Sequence, residues 1–234
     1  MAIAPPGYRR TMNLAEEFTL LAYADEGTPD TDATRLDHGL GGAVLLELVL
    51  AERLEMRNGK VAVQSPAPTG DTLIDEALAR MAADGKERKP GHWVQQLAKG
   101  TRGRVLDALV TRGVLRRERG KVLLVFPRTT YPAAHGVEPV AEAEARRRMR
   151  NAVAASGAVE PRTAALCALI AATGLERKVF ADLDRKQVKA RLKEISEGAW
   201  AAEAVKKTIA EVQAAVMVAV MAATTASTAA TASS

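Results

Sequence analysis

Three carboxylates stand close together in the segment Pro68-Thr69-Gly70-Asp71-Thr72-Leu73-Ile74-Asp75-Glu76. Asp71 and Asp75 are four residues apart, so a helix starting here would place both on one side, as general acid/base work requires. The simpler account is structural: Asp71 or Thr72 caps a helix, and Asp75 satisfies first-turn amides and the helix dipole. A second group is cationic. Lys99, Arg102 and Arg104 flank the predicted start of another helix, where free amides already favour anions. Lys99 and Arg102 are three apart and could share one phosphate, Arg as a bidentate fork and Lys as a point charge. A solvated charged face is the alternative. A third group is apolar. Val122-Leu123-Leu124-Val125-Phe126 is a run that alternating side chains cannot turn all to one side. It is either buried on both faces or offers one face to a partner or a membrane. Its neighbours Arg116, Arg117, Arg119, Lys121 and Arg128 suit an anionic membrane surface.

Other chemistries lack their residues. The one cysteine, Cys167, lies in an apolar helical run, so it offers neither an internal disulfide nor a Cys-based metal cluster. His38, His92 and His135 have no metal-ligand spacing. Gly39-Leu40-Gly41-Gly42 lacks the Lys-Ser/Thr of a phosphate loop and the strand before a dinucleotide site. No nucleophile elbow occurs. No enzyme, metal or cofactor is therefore expected.

The 234 residues carry a net charge of +5, unevenly spread. Between Arg80 and Thr130 there are 13 Lys/Arg against 4 Asp/Glu, a local +9 on a body of −4. That asymmetry points to an anionic partner. Aromatics make up 3%, so the core must be Ala, Leu, Val and Met. Arg outnumbers Lys 22 to 11 and Asn occurs three times, a bias of GC-rich coding that suggests a bacterial chain. Met1–Arg10 has no apolar stretch of a signal peptide, and the longest apolar run, Val212–Ala223, is too short to span a bilayer and reads as a buried helix.

These groups need elements to hold them. Asn13 with Glu16 three residues later is a capping box for a first helix. A second helix carries Leu36, Leu40, Val44 and Leu48; glycines 39, 41 and 42 within it imply a close approach to its backbone, or a start after Leu40. Asn58-Gly59 between apolar alternations predicts a hairpin. A third helix follows Asp71, short helices cover 93–98 and 102–111, and a second hairpin pairs Val114-Leu115 with 122–126 around a charged turn at Arg116–Gly120. Pro132–Pro139 is a linker. Helices follow at about 139–155, 161–173, 185–197 and 199–223. The expected architecture is mainly α: a flexible terminus (1–12), a single compact helical domain with two small β-hairpins (13–223), and a disordered Thr/Ala/Ser tail (224–234).

The chain resembles the Golgi phosphoprotein 3 family. The resemblance rests on Leu14-Ala-Glu-Glu-Phe-Thr-Leu-Leu21, on Gly39-Leu-Gly-Gly-Ala-Val-Leu-Leu-Glu-Leu-Val-Leu-Ala-Glu-Arg-Leu54, on Ala67-Pro-Thr-Gly-Asp-Thr-Leu-Ile-Asp-Glu-Ala-Leu78, and on Leu109-Val-Thr-Arg-Gly-Val-Leu115 with Tyr131-Pro132. It implies a mainly helical peripheral membrane protein that binds phosphatidylinositol 4-phosphate in a basic pocket. It also implies a hairpin used for membrane insertion or self-association, and client-protein tails as further partners. The family's basic pair falls on Lys99 and Arg102, with Arg104 beside them; the hairpin falls on Leu115–Phe126. The eukaryotic pocket adds a Trp before the glycine-rich helix and an Arg within it. Here no Trp precedes that helix, Gly41 takes the Arg position, and Arg35 is the substitute one turn upstream. The expected function is a cytoplasmic, peripherally membrane-associated adaptor binding an anionic phospholipid headgroup of phosphoinositide type, with a second protomer as a further partner of the hairpin. Two other readings remain: a winged-helix-like nucleic-acid binder, with Arg102, Arg104 and Arg112 on the recognition helix, and a protein–protein scaffold without lipid.

Overall fold

A computed structural model describes residues 11–122, 126–197 and 203–231. The expected mainly helical fold with two antiparallel hairpins is observed. In chain order the elements are α1 (Leu14–Ala22), α2 (Ala33–Leu50), β1 (Leu54–Arg57), β2 (Lys60–Val63), α3 (Thr72–Asp84), α4 (Pro90–Ala98) and α5 (Thr101–Thr111). Then follow β3 (Glu118–Val122), β4 (Phe126–Thr130), α6 (Val140–Ala154), α7 (Pro161–Thr173), α8 (Glu176–Val179), α9 (Arg185–Glu197) and α10 (Glu203–Thr231).

α2 is the central rod, packed by α1, α4, α5, α7 and α10. A helix covered on most sides needs apolar residues nearly all round, and its buried positions run from Leu36 through Val49, interrupted only by half-buried Asp37, His38 and Glu47. The glycines explain how so many neighbours fit. A Cβ at Gly39 would strike the Phe18 ring of α1, one at Gly42 would strike Val216 of α10, and one at Gly41 would lie 2.2 Å from the Val94 carbonyl oxygen of α4. Close approach is thus the correct account of the triplet, and the helix begins well before Leu40. The capping box at Asn13 is present, and Asn58 and Gly59 hold the positive φ values of a tight hairpin turn.

The start of α1 is wrapped in charge. Glu16 and Glu17 are buried, and each holds arginine: Arg112 Nη1 is 2.8 Å from Glu16, and Arg148 Nη2 is 2.8 Å from Glu17. Arg162 from α7 donates to both oxygens of Glu47 at 3.1 and 3.2 Å, donates to the Met12 carbonyl, and lies 3.4 Å from Glu17. Burial raises the Glu17 carboxyl above its ordinary pKa despite these partners.

Three sequence expectations need correction. The charged stretch Arg116–Gly120 is not the turn of the second hairpin: Glu118–Val122 is its first strand, pairing in register from Glu118 with Thr130 to Val122 with Phe126. Leu115, expected in that strand, makes only an isolated bridge to Ala133 at the base. The side chains of Glu118–Lys121, Arg128 and Thr129 are exposed, so these described positions show no core-facing alternation. Leu123, Leu124 and Val125, expected in the apolar strand, lie outside the described residues. Second, α10 is half-buried: Ile209, Val212, Val216, Ala219 and Val220 face inward while Met217, Val218 and Met221 are exposed. Third, α10 runs on to Thr231, so the stretch 224–231 is helical where its composition suggested disorder. Extending an existing helix needs no new nucleus, and Ala is the strongest helix former. Among the described residues no helix is long and apolar enough to cross a membrane.

Candidate functional site

The carboxylate cluster is fully engaged in local structure. Asp71 caps α3, accepting from the Leu73 and Ile74 amides, and its other oxygen takes a 2.5 Å hydrogen bond from Asn13, tying the starts of α1 and α3 together. Asp75 does not serve the first-turn amides. It reaches back to the Pro-Thr-Gly loop, accepting from the Thr69 amide, the Thr69 hydroxyl and the Gly70 amide. Glu76 pairs with Arg104. Desolvation alone would push the Asp75 carboxyl up, but the bonds from Thr69 and Gly70 together hold it below its ordinary value. A lowered folded-state pKa means stability that is present above the unfolded value and lost as pH falls through the folded one. Asp75→Asn is therefore expected to cost about 1–2 kcal/mol at neutral pH. The gap to wild type should close below about pH 4, read from denaturant midpoints across pH.

Cys167 is buried and its thiol is pushed up to about 12, so it packs as a small hydrophobe.

Of the cations in the 80–130 segment, six have carboxylate partners: Arg88 with Asp84, Arg102 with Asp37, Arg104 with Glu76, Arg112 with Glu16, Arg116 with Glu118, and Arg117 with Asp107. All three cations of the nucleic-acid reading, Arg102, Arg104 and Arg112, are in that paired set. Lys99, Arg119, Lys121 and Arg128 are exposed and form no ion pair among the described residues.

Lys99 and Arg102 sit on either side of Gly100, which takes a left-handed turn (φ 75°) to join α4 directly to α5. No side chain caps α5. Lys99 touches Gln96 at 3.4 Å and points to solvent, while Arg102 Nε lies 3.2 Å from Asp37 Oδ1 on α2. No local sequence signal marks Asp37, and only the tertiary crossing of α2 and α5 reveals it. Burial raises its carboxyl above the ordinary value, against the pull of Arg102 and His38. Beside this pair Tyr23 packs edge-to-face on Tyr131 at 6.4 Å, and burial pushes its hydroxyl up to about 12. Arg117 lies over the Tyr131 ring, 5.6 Å from its centre, so the base of the second hairpin adjoins the α2–α5 crossing.

The other two expected headgroup ligands go elsewhere. Arg104 turns to α3 through Glu76. Arg35 pairs with Asp32 at 2.9 Å and lies against Gly174 at the end of α7, lining a different cavity. On a helix, positions two apart point some 200° from each other, so Arg35 cannot join the side that Asp37 shares with Arg102. The place that the resemblance gives to an arginine is filled by backbone: a Cβ at Gly41 would meet Val94 O at 2.2 Å and Ala98 N at 2.9 Å.

The glycine-rich α2, the Asp71-capped loop and the α4–α5 junction all lie within one stretch that matches a known family, Golgi phosphoprotein 3 (GPP34), over residues 14–212. The chain belongs to the Golgi phosphoprotein 3 family. The match takes in the described residues of the second hairpin and most of the helical body, ending within α10. Within this Golgi phosphoprotein 3 fold Lys99 and Arg102 flank the start of α5, and Gly41 on α2 lies in close helix-to-helix contact with α4.

Proposed function

We propose that this chain is a peripheral membrane adaptor that holds the phosphate of an anionic phospholipid headgroup, of phosphoinositide type, at the α4–α5 junction. The observation that carries the reading is the uncapped start of α5 set between Lys99 and Arg102. Amide donors, the positive end of the helix dipole, one solvent-facing ammonium and one guanidinium meet there. A phosphate would draw Arg102 from Asp37, whose half-buried carboxylate is already disfavoured. Without the second arginine of the eukaryotic pocket, contact rests on the pair alone. That favours general phosphate recognition over strict selectivity for the 4-phosphate.

The second hairpin supports the same reading. Exposed Arg119, Lys121 and Arg128 lie on the paired strands that lead in sequence to the apolar run. Exposed cations that flank an apolar stretch in the sequence fit an anionic bilayer surface, each worth about 1 kcal/mol near that surface. The chain then acts by binding, with client tails or a second copy as protein partners, and does no chemistry of its own.

Co-sedimentation with phosphatidylcholine vesicles, with and without phosphatidylinositol 4-phosphate, tests the proposal. Wild type is expected to pellet with the doped vesicles, and Lys99→Ala/Arg102→Ala to lose about tenfold or more in apparent affinity. Equal pelleting of the double variant overturns the assigned site. No pelleting of wild type on either vesicle overturns the function and leaves a scaffold that works through protein contacts.

A further inference from the structure

A second cationic feature lies on the other side of α2, away from Lys99 and Arg102. A cavity of about 1070 Å³ opens between the first turn of α2, the end of α7, α8 and α9. Its lining includes five cations, Arg35, Arg177, Arg185, Lys186 and Lys189, against two carboxylates, Glu176 and Asp184. Asp184 is already committed: it accepts from the Lys186 and Gln187 amides and caps α9.

Nearby cations outside the cavity are neutralised by the fold. Arg150 pairs with Asp182, Lys178 with Asp30, and Arg191 with Glu194. The ones that line it are not. Arg177, Arg185, Lys186 and Lys189 are exposed and form no ion pair among the described residues; only Arg35 has one, with Asp32. Gly174 keeps the wall thin, because a Cβ there would press on Arg35 Nη1 at 3.2 Å. The floor is rigid, with Phe180 and Val188 buried beneath. A concave surface of one sign focuses its field and concentrates counter-ions. The cations come from three elements and surround a volume far larger than one phosphate, so they are spaced for several charges on one ligand.

We infer that this cleft binds a multiply phosphorylated anion through Arg177, Arg185, Lys186 and Lys189, with Arg35 at its inner wall. The inference is independent of the lipid site at Lys99 and Arg102. Two sources share the required chemistry, a soluble polyphosphorylated metabolite and a polyphosphorylated lipid headgroup.

Inositol hexakisphosphate is the probe, titrated calorimetrically into the full chain carrying Lys99→Ala/Arg102→Ala, so that the first site is silent. Binding is expected to persist there. It should weaken about tenfold or more when Arg177→Ala, Arg185→Ala and Lys189→Ala are added. Arg119→Ala/Lys121→Ala/Arg128→Ala removes the same charge from the hairpin and should leave the affinity unchanged. As a measurement without substitution, the probe should protect Lys186 and Lys189 of wild type from acetylation. Absence of binding to the silenced chain, equal weakening by the hairpin changes, or no protection of the two lysines overturns the site. Vesicles containing phosphatidylinositol 4,5-bisphosphate separate the sources: loss of pelleting in the cleft variant assigns a lipid headgroup, and retained pelleting assigns a soluble ligand.

Discussion

Arg162→Met is expected to lower the free energy of unfolding by about 3–5 kcal/mol, the range for removing one partner from a buried ion pair. The guanidinium is the shared counter-charge of two helices. It donates twice to Glu47, bonds the Met12 carbonyl ahead of α1, and stands 3.4 Å from Glu17. Its own pKa is raised: burial opposes its charge, but Glu47 and Glu17 outweigh that. Without it, Glu47 keeps the Leu14 amide at 2.6 Å and Glu17 keeps Arg148, which leaves two carboxylates with one arginine between them. Glu17 is already raised by burial, and losing Arg162 raises it further. A folded-state pKa above the unfolded one means that the folded state holds more protons, so stability falls as pH climbs through that window. Part of the Arg162→Met deficit should therefore vanish on acidification towards the unfolded carboxyl value. Urea unfolding at neutral and mildly acid pH reads both effects. A loss below about 1 kcal/mol would show that water, not Arg162, compensates these carboxylates. Adding Glu17→Gln and Glu47→Gln should return part of the loss, because a matched neutral set carries no stranded charge.

Gly41→Ala carries the second large effect, about 3 kcal/mol of destabilisation. The atoms that the new methyl would meet are Val94 O and Ala98 N, both backbone, so no rotamer change relieves the clash. α4 must move as a body away from α2. Gly103→Ala, in open space on α5, should instead stabilise by up to about 1 kcal/mol through helix propensity. Thermal or denaturant unfolding of the two variants tests the contrast, and similar effects from both would refute it. The functional corollary is specific. Val94 to Ala98 leads straight into Lys99, so a displaced α4 moves that ammonium relative to Arg102. Gly41→Ala should weaken vesicle binding along with stability, and Gly41→Arg should not rebuild a two-arginine pocket.

The helices were legible because each buries a face or a whole girth. Leu14, Phe18 and Leu21 repeat at helical spacing, and Asn13 with Glu16 marks their start. The first hairpin was legible from Asn58-Gly59, whose positive φ values few other pairs tolerate. The second hairpin pairs several residues away from where the apolar run predicts it, because backbone pairing between strands with exposed side chains leaves no periodic trace in Glu118-Arg119-Gly120-Lys121. α8 is four residues long and left no pattern to detect. The candidate site was half legible. Lys99 and Arg102 are neighbours in sequence, so their meeting at the α4–α5 junction follows from local geometry. Where Arg35 and Arg104 turn depends on Asp32, Glu76 and the crossing of distant helices. The partner of Arg102, Asp37, is likewise a tertiary fact.

The second hairpin has one more consequence. A two-stranded ribbon is all edge, and each strand presents an outer row of backbone groups on which another chain could template a third strand. This ribbon is guarded against that fate. Pro127, opposite Lys121, contributes no amide hydrogen, and Arg119, Lys121 and Arg128 repel an approaching copy of themselves. Sheet growth from molecule to molecule, the first step of ordered aggregation, is thereby opposed along strands whose described side chains are mostly exposed.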